Sequence, residues 1–459
     1  MITERLSDFV ANTATVPEAV LAAAQNALVD TVGVALAGTL EPVAVTAAAW
    51  ISEIGAAPKA TLWGRDGATS IAEAAFGNGI ASHALDFDDT HPGTRGHTSA
   101  ILVPAVLAVG EATGAAGEEV LAAYALAHEV GAKIGRALGP GHLERGWHPT
   151  ATVGTLAATA AAARLWRLDA GATRRAWGIA ASGASGLMRN FGTMTKPFHA
   201  GQAARCGVAA AWMAQTGFTA DESIFDGKGG FLATYGGESG ESMEKLLDGL
   251  GKTWELLEPG NYVKRWPCCY SNHRAVGGLQ QLVEQHGVQT HEVEEVAIGF
   301  LPGGDTALVS RDPHTGLEGK FSVEYTVAAL LHDRALNLKT YTDAMVQRPA
   351  VRALMKKVRR YRIPDEKTYS GVAGYNDIAL STRRGRFEMR VDRVPGSLAW
   401  PVTDADRVAK FMDCAALALG TQGAERLLEF SQGFRKLSDV RTFAHATVPL
   451  PTARAAAVA

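Results

Sequence analysis

From about Val16 to about Gly251 the chain is a succession of helical segments so rich in alanine and glycine that most of their faces are small and apolar. VPEAVLAAAQNALVDTVGVALAG sets the pattern, with Pro17 near its start, apolar residues every three or four positions and a glycine at its end. Those are the boundary marks of a helix. The pattern returns in ATSIAEAAFGNGIASHAL, SAILVPAVLAVGEATG, EEVLAAYALAHEVGAKIGRALG, PTATVGTLAATAAAARLW, ATRRAWGIAASGASGL and PFHAGQAARCGVAAAWMAQTG. Helices that are small and apolar all round are expected to pack closely and to be buried on every side. The first half of the chain is thereby constrained to a compact helical domain.

The pattern changes near Trp266. VEEVAIGFL, KKVRRYRIP, DIALSTRRG and RFEMRVDRV have the β-branched, alternating character of strands, and the last two flank Arg384 and Gly385, a hairpin turn. Helical segments such as HRAVGGLQQLVEQHG and YTVAALLHD alternate with them, and DADRVAKFMDCAALALG and AERLLEFSQGF follow Pro401. At 459 residues the chain exceeds what one core usually serves. The fold class expected is mainly α with an α+β second domain. Residues 1–265 form the helical domain, 266–400 a smaller α/β lid domain, and 401–459 helices returning to the first domain. The terminal PTARAAAVA is expected to be loose.

Bulk properties exclude several functions. Net charge is −3, from 44 basic and 47 acidic side chains without a basic block, so neither nucleic acid nor an anionic membrane surface is an expected partner. The first twenty residues mix charged and apolar side chains and resemble neither a signal peptide nor an anchor. A cytosolic protein is expected. Cys206, Cys268, Cys269 and Cys414 form no C-x-x-C pair and read as buried free thiols rather than a disulfide framework or zinc ribbon.

Against this apolar background, LDFDDTHPGTRGHTSA places three aspartates and two histidines within twelve positions. His83, Asp86, Asp88, Asp89 and His91 offer metal ligands, but oxygen-rich magnesium sites usually work with substrate phosphates, and no phosphate-binding glycine loop is nearby. DFDD shares four letters with the acid motif of helical terpene cyclases, whose other motifs are not evident here. The favoured reading has no metal. Carboxylates there orient a histidine or share a proton, and Asp88 and Asp89 cap and stabilise the loop. Three chemically capable residues stand at helix starts. His97 precedes Thr98 and Ser99, either of which can cap; His148 precedes Pro149; Lys196 precedes Pro197, with His199 one turn further on. Free N–H groups and a positive dipole end gather at such places. If the three converge, they suit a small substrate bearing several carboxylates.

The blocks HALDFDDTHPGTRGHTSA, GWHPTATVGTLAATAAAARLW, MTKPFHAGQAARCGVAAAWMAQTGFTA, FDGKGGF, KRWPCCYSNHRA and GKFSVEYTVAALL resemble the MmgE/PrpD family, in the same order along almost the whole chain. The resemblance implies a helical large domain, an α/β lid domain, a homodimer and chemistry without metal or cofactor. Family activities include 2-methylcitrate dehydration, cis-aconitate decarboxylation and iminodisuccinate epimerisation. The pattern nearest the decarboxylases places Asp86, Thr90, His97, His148, Lys196, His273 and Tyr325 at the active site. Two departures stand out. The loop from Thr90 to His97 is one residue longer, with His91 where the decarboxylase pattern has tryptophan, and the second-domain motif reads PCCYSNHRA, with Arg274 after His273. The methylcitrate dehydratases in turn generally lack a histidine segment like that at 147–151.

All three reactions develop charge beside a carboxylate and need a cationic clamp, a base and an acid. The catalytic residues expected are His97, His148, Lys196, His273 and Tyr325. Asp86, Thr90, His199 and Arg274 bind substrate or orient those groups. Tyr325 reads equally well as a buried tyrosine bonded to a neighbour. His286, His291, His314, His332 and His445 carry no motif. The leading function is a metal-independent lyase of a small di- or tricarboxylate; an epimerase of an aspartate-like dicarboxylate and a non-catalytic carboxylate-binding member are the alternatives.

Overall fold

A computed structural model describes residues 1–237, 240–369 and 373–450; the terminal PTARAAAVA lies outside the described residues. The chain forms two compact units. One comprises Met1–Leu187, Pro197–Asn261 and the chain from Thr403 onward; the other comprises Met188–Lys196 and Tyr262–Val402. The second unit thus begins at Tyr262 rather than Trp266, and it also takes Met188–Lys196, which the sequence reading kept with the first helices. The physical reason is local, because Phe191 packs against Phe321, with ring centroids 5.9 Å apart.

Every helical segment marked by periodicity in the first unit is a helix: Glu18–Gly38, Ile71–Ala84, Ser99–Thr113, Gly117–Leu138, Pro149–Leu165, Ala170–Ala181 and Thr195–Gln215. Ile2–Asn12 and Pro42–Ile54 are two more. Small side chains let the helices bury themselves on all faces. In Pro149–Leu165 every residue except Arg164 is buried. Glu18–Gly38 is long and apolar enough to cross a membrane, but 67% of its apolar window is buried inside the protein, as in the central helix of a globular core.

The two segments after Pro401 form one helix, Asp404–Gln432, broken at Gly420. It packs along Glu18–Gly38. Lys410 fastens the pair. Its Nζ lies 2.8 Å from Asp30 Oδ1 in a part-buried ion pair, 2.8 Å from the Phe87 carbonyl oxygen and 4.1 Å above the Phe87 ring.

The second unit is built on a four-stranded sheet ordered Val358–Arg362, Val293–Phe300, Asn376–Thr382, Gly385–Val391. The first pair is parallel and the others are antiparallel. Asn376–Thr382 and Gly385–Val391 are the expected hairpin, turning through Arg383 and Arg384 with Thr382 opposite Gly385. Helix His273–His286 packs against both hairpin strands, and Val323–Asp333 packs beside it.

Gly38 shows how close the helix packing is. A Cβ built there would stand 2.0 Å from the Ala81 carbonyl oxygen in helix Ile71–Ala84, a backbone atom that cannot rotate away. Gly38→Ala is therefore expected to destabilise the protein by about 1–3 kcal/mol, the usual cost of overpacking a core. Urea unfolding should show a lower midpoint at unchanged slope, and an unaltered midpoint would mean that the two helices have room to separate.

Candidate active site

The polar loop between Ile71–Ala84 and Ser99–Thr113 is almost entirely out of water. Asp86, Asp88, Asp89, Thr90, His91, Thr94 and Thr98 are all buried, whereas the His97 side chain keeps 12% of its surface exposed. Asp86 holds a left-handed backbone, φ 52°, which aspartate tolerates better than most residues.

Asp88 lies at the centre of this loop. Its Oδ1 and Oδ2 stand 3.0 and 3.1 Å from Nδ1 of His83, and Oδ2 stands 2.9 Å from Nδ1 of His97. Burial acts to raise the Asp88 carboxyl, but the charge and hydrogen bonds of His83 and His97 outweigh it and hold the group well below the usual carboxylate range. An ionised carboxylate only accepts hydrogen bonds, so both imidazoles donate from Nδ1. Nε2 of His97 lies 3.7 Å from Asp86 Oδ1.

His148 is the N-cap residue of Pro149–Leu165, with Pro149 in the first turn as expected. Its Nδ1 is 3.0 Å from Nδ1 of His199, on helix Thr195–Gln215. One of these rings donates and the other accepts. His83 lies near both proton-carrying candidates, with ring centroids 4.2 Å from His97 and 6.2 Å from His148. Two helix starts are tied directly, because the His97 N–H donates to Thr150 Oγ1 at 3.1 Å. Gly96 permits this approach, since a Cβ there would stand 2.9 Å from the Thr150 nitrogen. Within the first unit the structure therefore gathers Asp86, His97, His148 and His199, together with His83 and Asp88. The donor atoms of His83, Asp86, Asp88 and His97 lie within 4.8 Å of one another, close enough to surround a cation, although both Nδ1 atoms are engaged by Asp88.

The caps differ from expectation. Thr98 occupies the N-cap position but makes no side-chain cap bond; its hydroxyl meets Thr94 Oγ1 at 3.0 Å. Asp89 caps from across the loop, accepting from the Ser99 N–H at 3.3 Å and the Ser99 hydroxyl at 2.5 Å. Asp89 also accepts from Asn261 Nδ2 at 2.6 Å, and burial pushes its carboxyl up to about 7. Helix Thr195–Gln215 begins before Pro197, so Lys196 lies inside its first turn.

His91, the residue at the departure from the decarboxylase pattern, folds the loop. Its Nδ1 accepts from the N–H groups of Gly93 and Thr94, so its Nε2 donates to the Glu255 carbonyl oxygen at 3.1 Å. Burial holds the His91 imidazole well below its ordinary range. The ring meets His128 edge-on at 4.6 Å, and His128 Nε2 lies 2.8 Å from Asn261 Oδ1. Lys133 and Arg136 hold Glu255 Oε1 at 2.8 and 2.5 Å, while the Glu255 N–H donates to Glu129 Oε2 at 2.8 Å. Burial pushes the Glu129 carboxyl up to about 7. Sequence reasoning weighed His83 only as a metal ligand and passed over His128, Glu129, Lys133, Glu255 and Asn261. One signal was available: the HEVGAK run sets three ionisable residues into the middle of a helix whose other charges stand at its ends.

Of the remaining expected residues, Lys196, His273, Arg274 and Tyr325 belong to the second unit. Lys196 is buried, its Nζ 5.4 Å from the Phe191 ring and 5.1 Å from the Phe321 ring. His273 is buried at the start of its helix, stacked on Tyr270 at 4.6 Å and 5.1 Å from Trp266. Arg274 Nη1 donates to the Ala373 carbonyl oxygen at 3.0 Å, and burial lowers its guanidinium to about 10. Tyr325 is buried and donates its hydroxyl to the Thr340 carbonyl oxygen at 2.5 Å, with burial raising it to about 12. Thr90, in the first unit, has a buried hydroxyl with no hydrogen-bond partner among the described residues. None of the four cysteines forms a disulfide; three are buried and Cys206 is half-buried.

The MmgE/PrpD N-terminal domain matches residues 4–243 and the MmgE/PrpD C-terminal domain matches residues 266–436. The chain belongs to the MmgE/PrpD family. It is 29% identical to the cis-aconitate decarboxylase of Homo sapiens over 433 residues, covering 92% of this chain and 88% of the relative. The mouse cis-aconitate decarboxylase is 28% identical with the same coverage. That of Aspergillus terreus is 28% identical over 314 residues, 62% of each chain. The relatives compared are thus lyases.

Within this MmgE/PrpD chain the support of the loop should respond to pH. Burial lowers His128 from 6.5 to about 4 in the folded state, so between those values the unfolded state binds more protons, and stability is lost as pH falls. Asp89, raised to about 7, acts in the opposite sense, because its folded form keeps a proton that the unfolded chain releases. His128→Gln should therefore lose less stability than the parent on acidification from about pH 6.5 to about pH 4, and Asp89→Asn should lose more. Urea unfolding across that range checks both, and parallel pH profiles for the parent and either variant would sink the assignment.

Proposed function

We propose that this protein is a metal-independent acid/base lyase acting beside a carboxylate of a small tricarboxylic acid, with decarboxylation of cis-aconitate as its leading reaction. The observation that carries the proposal is the pairing of two ring systems in one compact unit. His97 is held by Asp88 and stands beside Asp86, and His148 is held by His199. The names of the relatives supply the substrate. Losing carbon dioxide leaves an electron pair on the carbon chain that a neighbouring carboxylate must delocalise and an acid must quench. His97 and His148 are the proton carriers in this reading, with Asp86 and Thr90 orienting His97 and His199 orienting His148. The roles of Lys196, His273, Tyr325 and Arg274 are proposed from the family pattern alone.

The second reading is epimerisation of an aspartate-like dicarboxylate. The presence of two separate ring systems, His97 on Asp88 and His148 on His199, supports it, because an epimerase needs one carrier on each face, whereas a decarboxylation needs one proton delivered. A homodimer and a cytosolic location belong to the same proposal. The homodimer is supported by large apolar side chains left exposed on helix Pro42–Ile54, namely Val45, Trp50 and Ile54.

Purified protein incubated with cis-aconitate in deuterated buffer containing a chelator should yield itaconate carrying solvent deuterium, read by proton NMR. Parallel samples with 2-methylcitrate and iminodisuccinate test dehydration and epimerisation. His148→Asn should lower turnover by on the order of 10²–10⁴, the usual worth of a positioned proton carrier, while still binding substrate. Full turnover in that variant would remove His148 from the mechanism, and deuterium exchange into iminodisuccinate alone would replace the lyase by the epimerase.

A further inference from the structure

Asp88 receives two imidazoles from two different elements. His83 comes from the last turn of helix Ile71–Ala84, and His97 comes from the loop just before Ser99–Thr113. Both meet the same carboxylate through Nδ1, at 2.9–3.1 Å. We infer that Asp88 is a positioning residue that fixes His83 and His97 with their protons on Nδ1, so that His97 presents Nε2 as the atom that carries the reaction's proton. The inference rests on the reading of His97 as a proton carrier.

The arrangement also sets a polarity. Once Nε2 takes a proton, the His97 imidazolium lies between two carboxylates, Asp88 at 2.9 Å and Asp86 at 3.7 Å, with the His83 ring beside it at 4.2 Å. Opposite charges on both sides favour the charged ring. His148 is placed differently. It meets an imidazole at 3.0 Å, with the His83 ring 6.2 Å away, and charging both rings of the His148–His199 pair would set two cations in contact. His97 is therefore the ring whose charged form its surroundings support, and it is the one placed to give up an Nε2 proton to carbon. In the decarboxylation the bond to the departing carboxylate breaks and carbon dioxide leaves. The electron pair stays on the chain, the His97 Nε2 proton moves to carbon, and the neutral ring regains a proton from water.

Nitrogen NMR on protein labelled at its histidines reads the tautomers without substrate, and His97→Gln and His83→Gln variants identify the two signals by difference. The parent protein should show both rings protonated at Nδ1. Asp88→Asn offers one acceptor and one donor group, so at least one ring should switch to the Nε2–H form. In that variant kcat should fall on the order of a hundredfold or more at nearly constant KM, as when a histidine-orienting carboxylate becomes an amide. Any of three results would overturn the inference: a neutral Nε2–H form of His97 in the parent, unchanged tautomers in Asp88→Asn, or a parent pattern that collapses on chelation, which would mean that a cation holds the cluster. The parent measurement decides the matter even if Asp88→Asn does not fold. The expected tautomers without turnover of cis-aconitate would leave this inference standing and remove the substrate reading instead.

Discussion

The structure depends on one constraint: a loop of carboxylates and imidazoles is taken out of water at the ends of close-packed apolar helices. A buried charge without a partner costs several kcal/mol, so the loop must bring its own counter-groups or find them on neighbouring helices. It does both. Asp88 is satisfied by His83 and His97, Asp89 by Ser99 and Asn261, and His91 by backbone groups on each side of its ring. The small residues of the surrounding helices make this possible, because only backbones that approach closely can place so many partners round one loop.

A division of labour follows. Asp89, His91, His128, Glu129, Lys133 and Glu255 form a buried layer that shapes the loop and holds no exposed proton carrier. Asp86, Asp88, His83, His97, His148 and His199 form a second layer, and His97 keeps part of its surface open. Both groups draw on the same short sequence, with Asp88 in one and Asp89 in the other.

Much of this was legible in the sequence, because apolar periodicity and glycine–proline punctuation are local signals. They found the large helices of the first unit and the strands of the second. They missed Ile2–Asn12 and Pro42–Ile54, and they split Asp404–Gln432 at Gly420, where a glycine imitates a helix end. The helix starts at His97 and His148 were also readable, since Pro149 and the Gly-His-Thr-Ser run announce them. Partner choice was not. Nothing in DFDDT distinguishes Asp88, which takes two imidazoles, from Asp89, which caps a helix, because that depends on which way each side chain leaves a buried turn. The assignment of Met188–Lys196 to the second unit was equally hidden, since it rests on the contact of Phe191 with Phe321.

The left-handed backbone at Asp86 has a consequence for how this loop can vary. Asparagine and glycine occupy that conformation as readily as aspartate, whereas a β-branched or bulky residue is strained there. An exchange of aspartate for asparagine removes a negative charge 3.7 Å from His97 Nε2 without asking the chain to refold. The loop's shape and its electrical character are thus separately adjustable at one position, so descendants of this sequence could retune the proton affinity of His97 in a single step while inheriting the architecture intact.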